Sequence, residues 1–274
     1  IAASVLIIVS VGWFTFTGQF STPTSEVPEE QEITVVTHVN NADVPKTVIL
    51  SEGTSIVLQP HSVLEYPSEF LPNLREVSLE GEAYFEVTRD PERPFVVRSG
   101  DIVTRVLGTS FTVRNVEDED NALVRVRTGK VSVVVAEKMR HTPSSDNNVE
   151  GVVLMANQQV VYEKMGMRMV KSLVENPTVL ARPSRHNFEF ADAPIAEVFT
   201  SIEEAYGVEI VFDEEALSSC YLNANLDDVP LYEKLKLICK GINATYEIMD
   251  SRILVYGKGC REPEESEDTQ LNPI

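Results

Sequence analysis

The sequence predicts a mainly β protein with a membrane helix at its start and a small α+β domain near its end. Residues 1–20 carry no charged side chain and are largely apolar. Residues 33–170 repeatedly alternate apolar and polar side chains with a period of two, whereas residues 187–257 contain two stretches with a helical period. A chain of 274 residues is long enough for more than one domain.

Residues 1–20 are expected to form a transmembrane helix. The chain is uncharged as far as Glu26, and its first sixteen residues would span about 24 Å as a helix, against about 30 Å for a bilayer core. Since the first residue is not methionine, we expect the natural segment to begin upstream. A secretory signal peptide is the alternative, but no Ala-x-Ala-like cleavage site follows. The next basic residue is Lys46, which predicts that this flank lies outside the cytoplasm.

The charge of the chain argues against nucleic-acid binding. The formal net charge is -20, and the sequence has no cluster of Lys and Arg that could neutralise phosphates. Residues 21–32 combine Pro, Ser, Thr and Glu, which bury too little apolar surface to fold, so they are expected to be a linker. We predict no metal and no cofactor, because ligand-like spacing is missing among the histidines and cysteines, which are His38, His61, His141, His186, Cys220, Cys239 and Cys260.

Residues 33–170 are predicted to form a β domain, either a sandwich or a solenoid-like fold. In the stretch 77–87 the inward positions are apolar and the outward positions are acidic, namely Leu79, Ala83, Phe85 and Val87 against Glu80, Glu82 and Glu86. The stretch 123–135 reads as a β-hairpin that turns at Gly129–Lys130. Residues 139–149 are polar and are expected to form a long loop.

The acidic pairs of this domain do not predict an enzyme. Two neighbouring carboxylates could serve a glycosidase. However, Glu80 and Glu82 lie on the solvent side of a predicted strand, and residues 117–120 fill a loop. The sequence also contains no serine-nucleophile elbow, phosphate-binding loop or zinc-protease helix.

The C-terminal part is predicted to be a duplicated βαβ domain at residues 187–257, after a proline-containing linker at residues 171–186. Each unit has a short strand, an Asp-x-Pro helix start and a helix that ends at glycine, Gly207 or Gly241. The buried face of the first helix is expected to be Ile195, Val198, Phe199, Ile202, Ala205 and Tyr206, and that of the second Leu231, Leu235 and Ile238. Residues 258–274 form an acidic tail.

The cysteines allow a disulfide in this domain. Cys220 lies at the start of a predicted strand and Cys239 near the end of the second helix, so the two could face each other. A loop of about 20 residues closed in this way would contribute roughly 3 kcal/mol in an oxidising compartment. The alternative is two buried thiols, and Cys260, in the tail, is expected to be free.

Several short blocks of this sequence resemble the FecR-type (FecR/PupR-like) anti-sigma factors. They occur in the expected order at residues 50–58, 62–67, 75–87, 94–97 and 106–113. The first turn of that family usually carries Asp-Gly, where this chain has Glu52–Gly53. Residues 187–256 resemble the short N-terminal domain of secretins and TonB-dependent receptors, which closes many FecR-like proteins of the Bacteroidetes kind.

The resemblance implies a single-pass inner-membrane protein whose bulk lies in the periplasm. A cytoplasmic domain, absent from this chain, would bind an extracytoplasmic-function sigma factor. The periplasmic part would relay a signal from the signalling domain of a TonB-dependent outer-membrane receptor, and we expect residues 187–256 to receive it. A periplasmic carbohydrate- or peptidoglycan-binding module and a hydrolase are the alternatives.

The resemblance also implies a self-cleavage bond between Gly108 and Thr109, because some FecR-like proteins split at a Gly-Thr bond in this block. The threonine hydroxyl can attack the preceding carbonyl and convert the amide into an ester that water opens. Glycine before the bond permits the strained backbone that such an attack needs. The structural alternative is that Gly108 only forms a bulge or turn.

Overall fold

Strands dominate the residues that the computed structural model describes, which are residues 34–136, 151–180 and 188–260. The chain divides into two units, Ile1–Thr34 and Val35–Ile274. The helix predicted for residues 1–20, the linker at 21–32 and the loop at 139–149 lie outside the described residues. Within the described ranges, no helix has both the length and the apolar character needed to cross a membrane.

Thirteen strands build the described part of the β domain, and they form two sheets that share one strand. The strands are β1 (Val35–Asn40), β2 (Lys46–Ile49), β3 (Ser55–Leu58), β4 (Ser62–Pro67), β5 (Arg75–Glu86), β6 (Phe95–Ser99), β7 (Ile102–Val106), β8 (Ser110–Asn115), β9 (Asn121–Thr128), β10 (Lys130–Val135), β11 (Val152–Met155), β12 (Gln158–Glu163) and β13 (Arg168–Leu173). The first sheet has the order β1-β4-β5-β6-β7-β10-β11. The second has the order β2-β3-β5-β8-β9-β12-β13.

Strand β5 passes from one sheet to the other at Gly81. Its first half pairs with β4 and β6, and its second half pairs with β3 and β8. Gly81 has φ +93°, and a Cβ atom there would lie 2.4 Å from Oγ of the buried Ser62. Glycine is therefore required at this bend, both for its positive φ and for the close approach of the neighbouring strand.

One apolar core lies between the two sheets and includes side chains from both. The alternation predicted for residues 77–87 is confirmed, since Leu79, Ala83 and Phe85 are almost fully buried and Glu80 and Glu86 are exposed. The rings of Phe85 and Phe111 stack at 5.1 Å between centroids. Of the two architectures that the sequence left open, the strands adopt that of a sandwich.

The hairpin predicted at Gly129–Lys130 is wrong. Strand β9 pairs with β8 and β12 in the second sheet, whereas β10 pairs with β7 and β11 in the first. Gly129, with φ +82°, carries the chain from one sheet to the other instead of folding it back. Two alternating stretches on either side of a glycine are typical of a β-hairpin, and they occur equally where a chain passes from one sheet to another. The local pattern therefore does not distinguish the two structures.

A charged pair lies inside the β domain. The side chain of Arg75 is fully buried, and its Nη1 lies 3.4 Å from Oε1 of Glu52, which is 11% exposed. Arg75 also donates from Nε to the Arg93 carbonyl at 2.8 Å and from Nη1 to the Thr88 carbonyl at 3.0 Å. Glu52 is the residue at which the first turn departs from the usual Asp-Gly, and its carboxylate takes part in this buried pair.

The C-terminal domain contains the two helices of the described residues and has the predicted duplicated order. Its elements are β14 (Glu189–Pro194), α1 (Ile195–Tyr206), β15 (Glu209–Val211), β16 (Tyr221–Asn225), α2 (Leu231–Gly241), β17 (Ala244–Met249) and β18 (Arg252–Gly257). Strands β14 and β16 pair with each other, and β18 lies between β15 and β17. The predicted buried faces of both helices are confirmed, and α1 ends at Gly207 in the left-handed conformation.

The structure corrects the predicted pairing of the cysteines. Cys220 is bonded to Cys260, and Cys239 is a free thiol in the core of the domain. Burial raises the pKa of the Cys239 thiol to about 11, so it is protonated at neutral pH. After β18 the chain turns back through Gly259, at φ +88°, beside the Ala216 carbonyl. This turn brings Cys260 to Cys220 and leaves Cys239 without a partner cysteine.

Hydrogen bonds from one buried asparagine join the β domain to the C-terminal domain. Asn157 is 2% exposed, with φ +61°. Its Nδ2 donates to the Tyr206 carbonyl at 2.7 Å and to the Thr178 carbonyl at 2.8 Å, and its Oδ1 accepts from the Thr178 amide. Tyr232 adds a bond from its hydroxyl to the Val174 carbonyl at 2.8 Å. The end of α1 is therefore held against the β12 side of the β domain.

Candidate functional site

A cleft of about 790 Å³ opens beside Gly108 and Thr109, the residues of the predicted cleavage bond. Its walls are formed by the end of β7, the start of β10 and the β11–β12 turn, together with Leu180 and Gly207. The site therefore forms where the β domain meets the C-terminal domain. The sequence points to Gly108 and Thr109 but gives no sign of the residues that surround them.

The backbone at Gly108 is held in a conformation that requires glycine. Its φ is +150°, and a Cβ atom there would lie 2.4 Å from Cα of Arg89. On either side the chain is fixed by backbone hydrogen bonds, from the Asp90 amide to the Leu107 carbonyl at 2.8 Å and from the Val87 amide to the Thr109 carbonyl at 3.0 Å. The bond between Gly108 and Thr109 is thus presented on a constrained turn.

The Thr109 hydroxyl is buried and unpaired within the described residues. Thr109 is 6% exposed, and its Oγ1 has no hydrogen-bond partner there. Gly129 packs against it so closely that a Cβ at Gly129 would lie 2.6 Å from Thr109 Cγ2. A buried hydroxyl without a partner is costly, and Thr104 Oγ1 is in the same state. None of the residues lining the cleft is Asp, Glu or His, so the described lining supplies no general base.

Three cations line the same cleft, and sequence reasoning did not identify them. They are Arg89, Arg105 and Lys130, and all three are exposed. They come from three separate segments of the chain, which the strand pairing of the first sheet and the Gly108 turn bring together. No pattern along the sequence could have grouped them.

The second candidate region is the free edge of β17 in the C-terminal domain. Among the described strands, β17 pairs only with β18, so the backbone groups of this six-residue strand that point away from β18 have no strand partner. Ile248 and Met249 on this strand are 44% and 52% exposed. The edges of β14 and β15 are less suitable, because β14 is interrupted by a register shift between Phe190 and Ala193 and β15 has three residues. An open edge of this kind can accept a strand from another chain.

Within the described residues, no group of three or more His, Cys, Asp or Glu side chains is placed to hold a metal ion. The buried Lys234 has a structural role, since its Nζ donates to the Leu226 carbonyl and lies 3.9 Å from the centroid of the Phe188 ring. Burial lowers the pKa of this lysine, and the neighbouring carboxylates of Asp227 and Asp228 oppose that shift.

Comparison with known families assigns both domains. Residues 34–132 match the family described as FecR protein, and residues 187–255 match the family described as FecR, C-terminal. The two matches follow each other in one chain and together span more than half of it. The chain belongs to the FecR-type anti-sigma factor family.

Solved structures of a similar protein exist, and no curated protein matches the chain. Two crystal structures of a candidate anti-sigma factor from Parabacteroides distasonis, at 2.50 Å and 1.65 Å, are each 29% identical in sequence. The alignments cover 82% and 81% of this chain and 99% of the other, with TM-scores of 0.46 and 0.45. Membership of the FecR-type family supports a regulatory role as an anti-sigma factor for this chain.

Proposed function

We propose that this chain is the periplasmic sensor part of a transmembrane FecR-type anti-sigma factor. It relays a signal from the signalling domain of a TonB-dependent outer-membrane receptor to an extracytoplasmic-function sigma factor. The sigma factor is bound by a cytoplasmic domain that is not part of this chain. The observation that carries the proposal is that both FecR-type domains are present in order, and that the second has a strand edge open to a partner.

The receiver in this proposal is the C-terminal domain, through β17. A strand added at this edge would pair with main-chain groups, and Ile248 beside them provides apolar contact area. The end of β17 that carries Ile248 is tied to the β domain through the turn that follows it. Ser251 in that turn is 5% exposed and accepts a hydrogen bond from Gln158 Nε2 at 3.4 Å. A partner at β17 therefore acts close to the junction between the two domains.

The proposed location is the inner membrane, with residues 1–20 spanning it and the rest in the periplasm. We expect a reporter enzyme that is active only outside the cytoplasm to be active when it is fused after Ile274 in the full-length protein. The physical reason is that the segment after residue 20 is acidic and lacks Lys and Arg until Lys46. A cytoplasmic reporter at the same point is the control. A well-expressed fusion that is silent outside and active inside would contradict this location.

Self-cleavage between Gly108 and Thr109 is a second element of the proposal. Thr109 Oγ1 attacks the Gly108 carbonyl carbon, the amide C–N bond breaks as its nitrogen takes a proton, and an ester forms. Water then opens the ester to leave a Gly108 carboxylate and a new N-terminus at Thr109. The unpaired hydroxyl and the glycine-only backbone of this turn support the step.

Purified protein tests the cleavage. We expect two fragments that meet between Gly108 and Thr109, retained in Thr109→Ser and lost in Thr109→Ala, because serine keeps the attacking oxygen and alanine removes it. Intact-mass measurement after long incubation gives the answer. Circular dichroism of Thr109→Ala is the control for folding. A wild-type chain that folds correctly and stays intact would rule the step out for this protein.

A further inference from the structure

The cleft beside Thr109 is basic in a strongly acidic protein. The chain has a net charge of -20, yet among the described residues that line this cleft there is no carboxylate, whereas Arg89, Arg105 and Lys130 are cations. The side chains of these three make no hydrogen bond or ion pair to another described residue. Most other described arginines have a carboxylate partner, as do Arg75, Arg93, Arg98, Arg114, Arg168 and Arg252. The cleft is thus a site of unpaired positive charge.

The fold brings the three cations to the walls of one cleft. Arg105 on β7 pairs in register with Ser132 on β10, and Lys130, two residues before Ser132, lies on the same face of that strand. Arg89 approaches from the other side, with its backbone against Gly108. Thr109 lines the cleft with a hydroxyl that is buried and has no partner among the described residues. The exposed arginine and lysine side chains of this cleft suit carboxylate groups.

The rest of the lining favours a peptide over a small anion. Leu107 and Met155 line the cleft and are 42% and 43% exposed, so they offer apolar contact for a chain that carries the carboxylates. A volume of about 790 Å³ is also far larger than one acetate-sized ion needs. The matching ligand is a short acidic peptide.

We propose that this cleft binds the acidic C-terminal segment of the chain itself, residues 262–274. Residues 262–274 carry five Glu or Asp side chains, of which Glu267 and Asp268 lie far enough along the segment to complement the unpaired cations. Because the segment is attached to the same chain, its effective concentration at the cleft is in the millimolar range, so weak ion pairs are enough to keep it bound.

The position of the disulfide gives this segment the necessary reach. The Ile195 amide donates to the Cys220 carbonyl at 3.0 Å, so the Cys220–Cys260 bond lies at the start of α1. Gly207, at the end of α1, lines the cleft. The helix has twelve residues and is therefore about 18 Å long, which about six extended residues can cover. Residues from about 266 onward then reach the cleft, among them Glu267 and Asp268.

The contact between residues 262–274 and the cleft depends neither on cleavage of the Gly108–Thr109 bond nor on which transducer is sensed.

Zero-length carbodiimide cross-linking of the full chain tests the contact, because it joins a lysine amine to a carboxylate in salt-bridge contact. After trypsin digestion we expect the peptide of residues 128–138, which contains Lys130, to be joined to residues 262–274. The product should vanish at about 1 M NaCl, where the Debye length is about 3 Å. In a mixture of ¹⁵N-labelled and unlabelled chains, no mixed product is expected.

Three results would overturn the proposal. Lys130 could be joined to the acidic linker at residues 21–32, it could form only mixed-isotope products with a second copy, or it could form no product with residues 262–274. Each places a different occupant, or none, in the cleft.

A peptide titration gives an independent measure. A labelled peptide of residues 261–274 is added to the chain that ends at Cys260, and binding is followed by fluorescence anisotropy. We expect the double variant Arg105→Glu/Lys130→Glu to bind at least about tenfold more weakly, a change of about 1.4 kcal/mol. The matched control Lys46→Glu/Lys240→Glu reverses the same number of exposed charges elsewhere, and its affinity should be within about twofold of the parent. Equal weakening in both variants, or no binding by the parent, would overturn the proposal.

Discussion

Replacement of Arg75 by methionine is expected to lower the free energy of unfolding by about 3–5 kcal/mol. Arg75 is fully buried, and its loss leaves the Glu52 carboxylate, 11% exposed, without its cationic partner. The same change removes the donors to the Arg93 and Thr88 carbonyls. An uncompensated charge inside a protein costs much more than an intact pair contributes.

The matched control for this prediction is Arg98→Met. Arg98 pairs with Glu76 on the surface, where both side chains are more than one-third exposed, so its loss should cost less than about 1 kcal/mol. Urea denaturation of the two variants beside the wild type measures the difference. If the two substitutions cost the same, the buried pair does not stabilise the β domain in the way described.

Reduction of the Cys220–Cys260 disulfide is expected to cost about 4 kcal/mol. The bond closes a loop between residues 40 apart, and the loss of chain entropy in the unfolded state grows with loop length. Unfolding of the wild type should therefore move to lower urea when reductant is added. The variant Cys220→Ala/Cys260→Ala should unfold at the same urea concentration with and without reductant.

Alkylation provides the chemical control for this pairing. In denaturant without reductant, one cysteine per chain should react, and peptide mapping should identify it as Cys239. Reaction of Cys260, or of all three cysteines, would contradict the observed bond.

The elements that the sequence predicted correctly are those set by local periodicity. The faces of α1 and α2 follow from apolar spacing, and the inward residues of β5 follow from alternation. In each case neighbouring residues carry the information, so a single sequence is enough.

The elements that it missed depend on partners far apart in the chain. Strands β9 and β10 alternate as a hairpin would, and only their pairing with β12 and β7 places them in different sheets. Arg75 is the first residue of β5, a position at which an arginine can also be exposed. Its burial depends on the ion pair with Glu52, 23 residues away in the sequence. The Cys220–Cys260 bond depends on the turn at Gly259, which a reading of residues 258–274 as a free tail overlooked.

The candidate site also combines residues that could be identified from the sequence with residues that could not. Gly108 and Thr109 were identified through resemblance to a family, and the structure shows why glycine is needed there. The three cations of the cleft were not identified, because Arg89, Arg105 and Lys130 meet only after the first sheet has formed.

The central claim is that the C-terminal domain receives the signalling domain of a TonB-dependent receptor, and an affinity measurement tests it most directly. The full chain in detergent is titrated with the purified signalling domain of a receptor whose gene lies beside this one. We compare Ile248→Lys on the β17 edge with Leu237→Lys on α2, since these side chains are 44% and 47% exposed. A lysine on an edge strand opposes strand addition, so Ile248→Lys should weaken binding at least about tenfold and Leu237→Lys less than about twofold. No binding by the wild type, or equal affinity for both variants, would contradict the account.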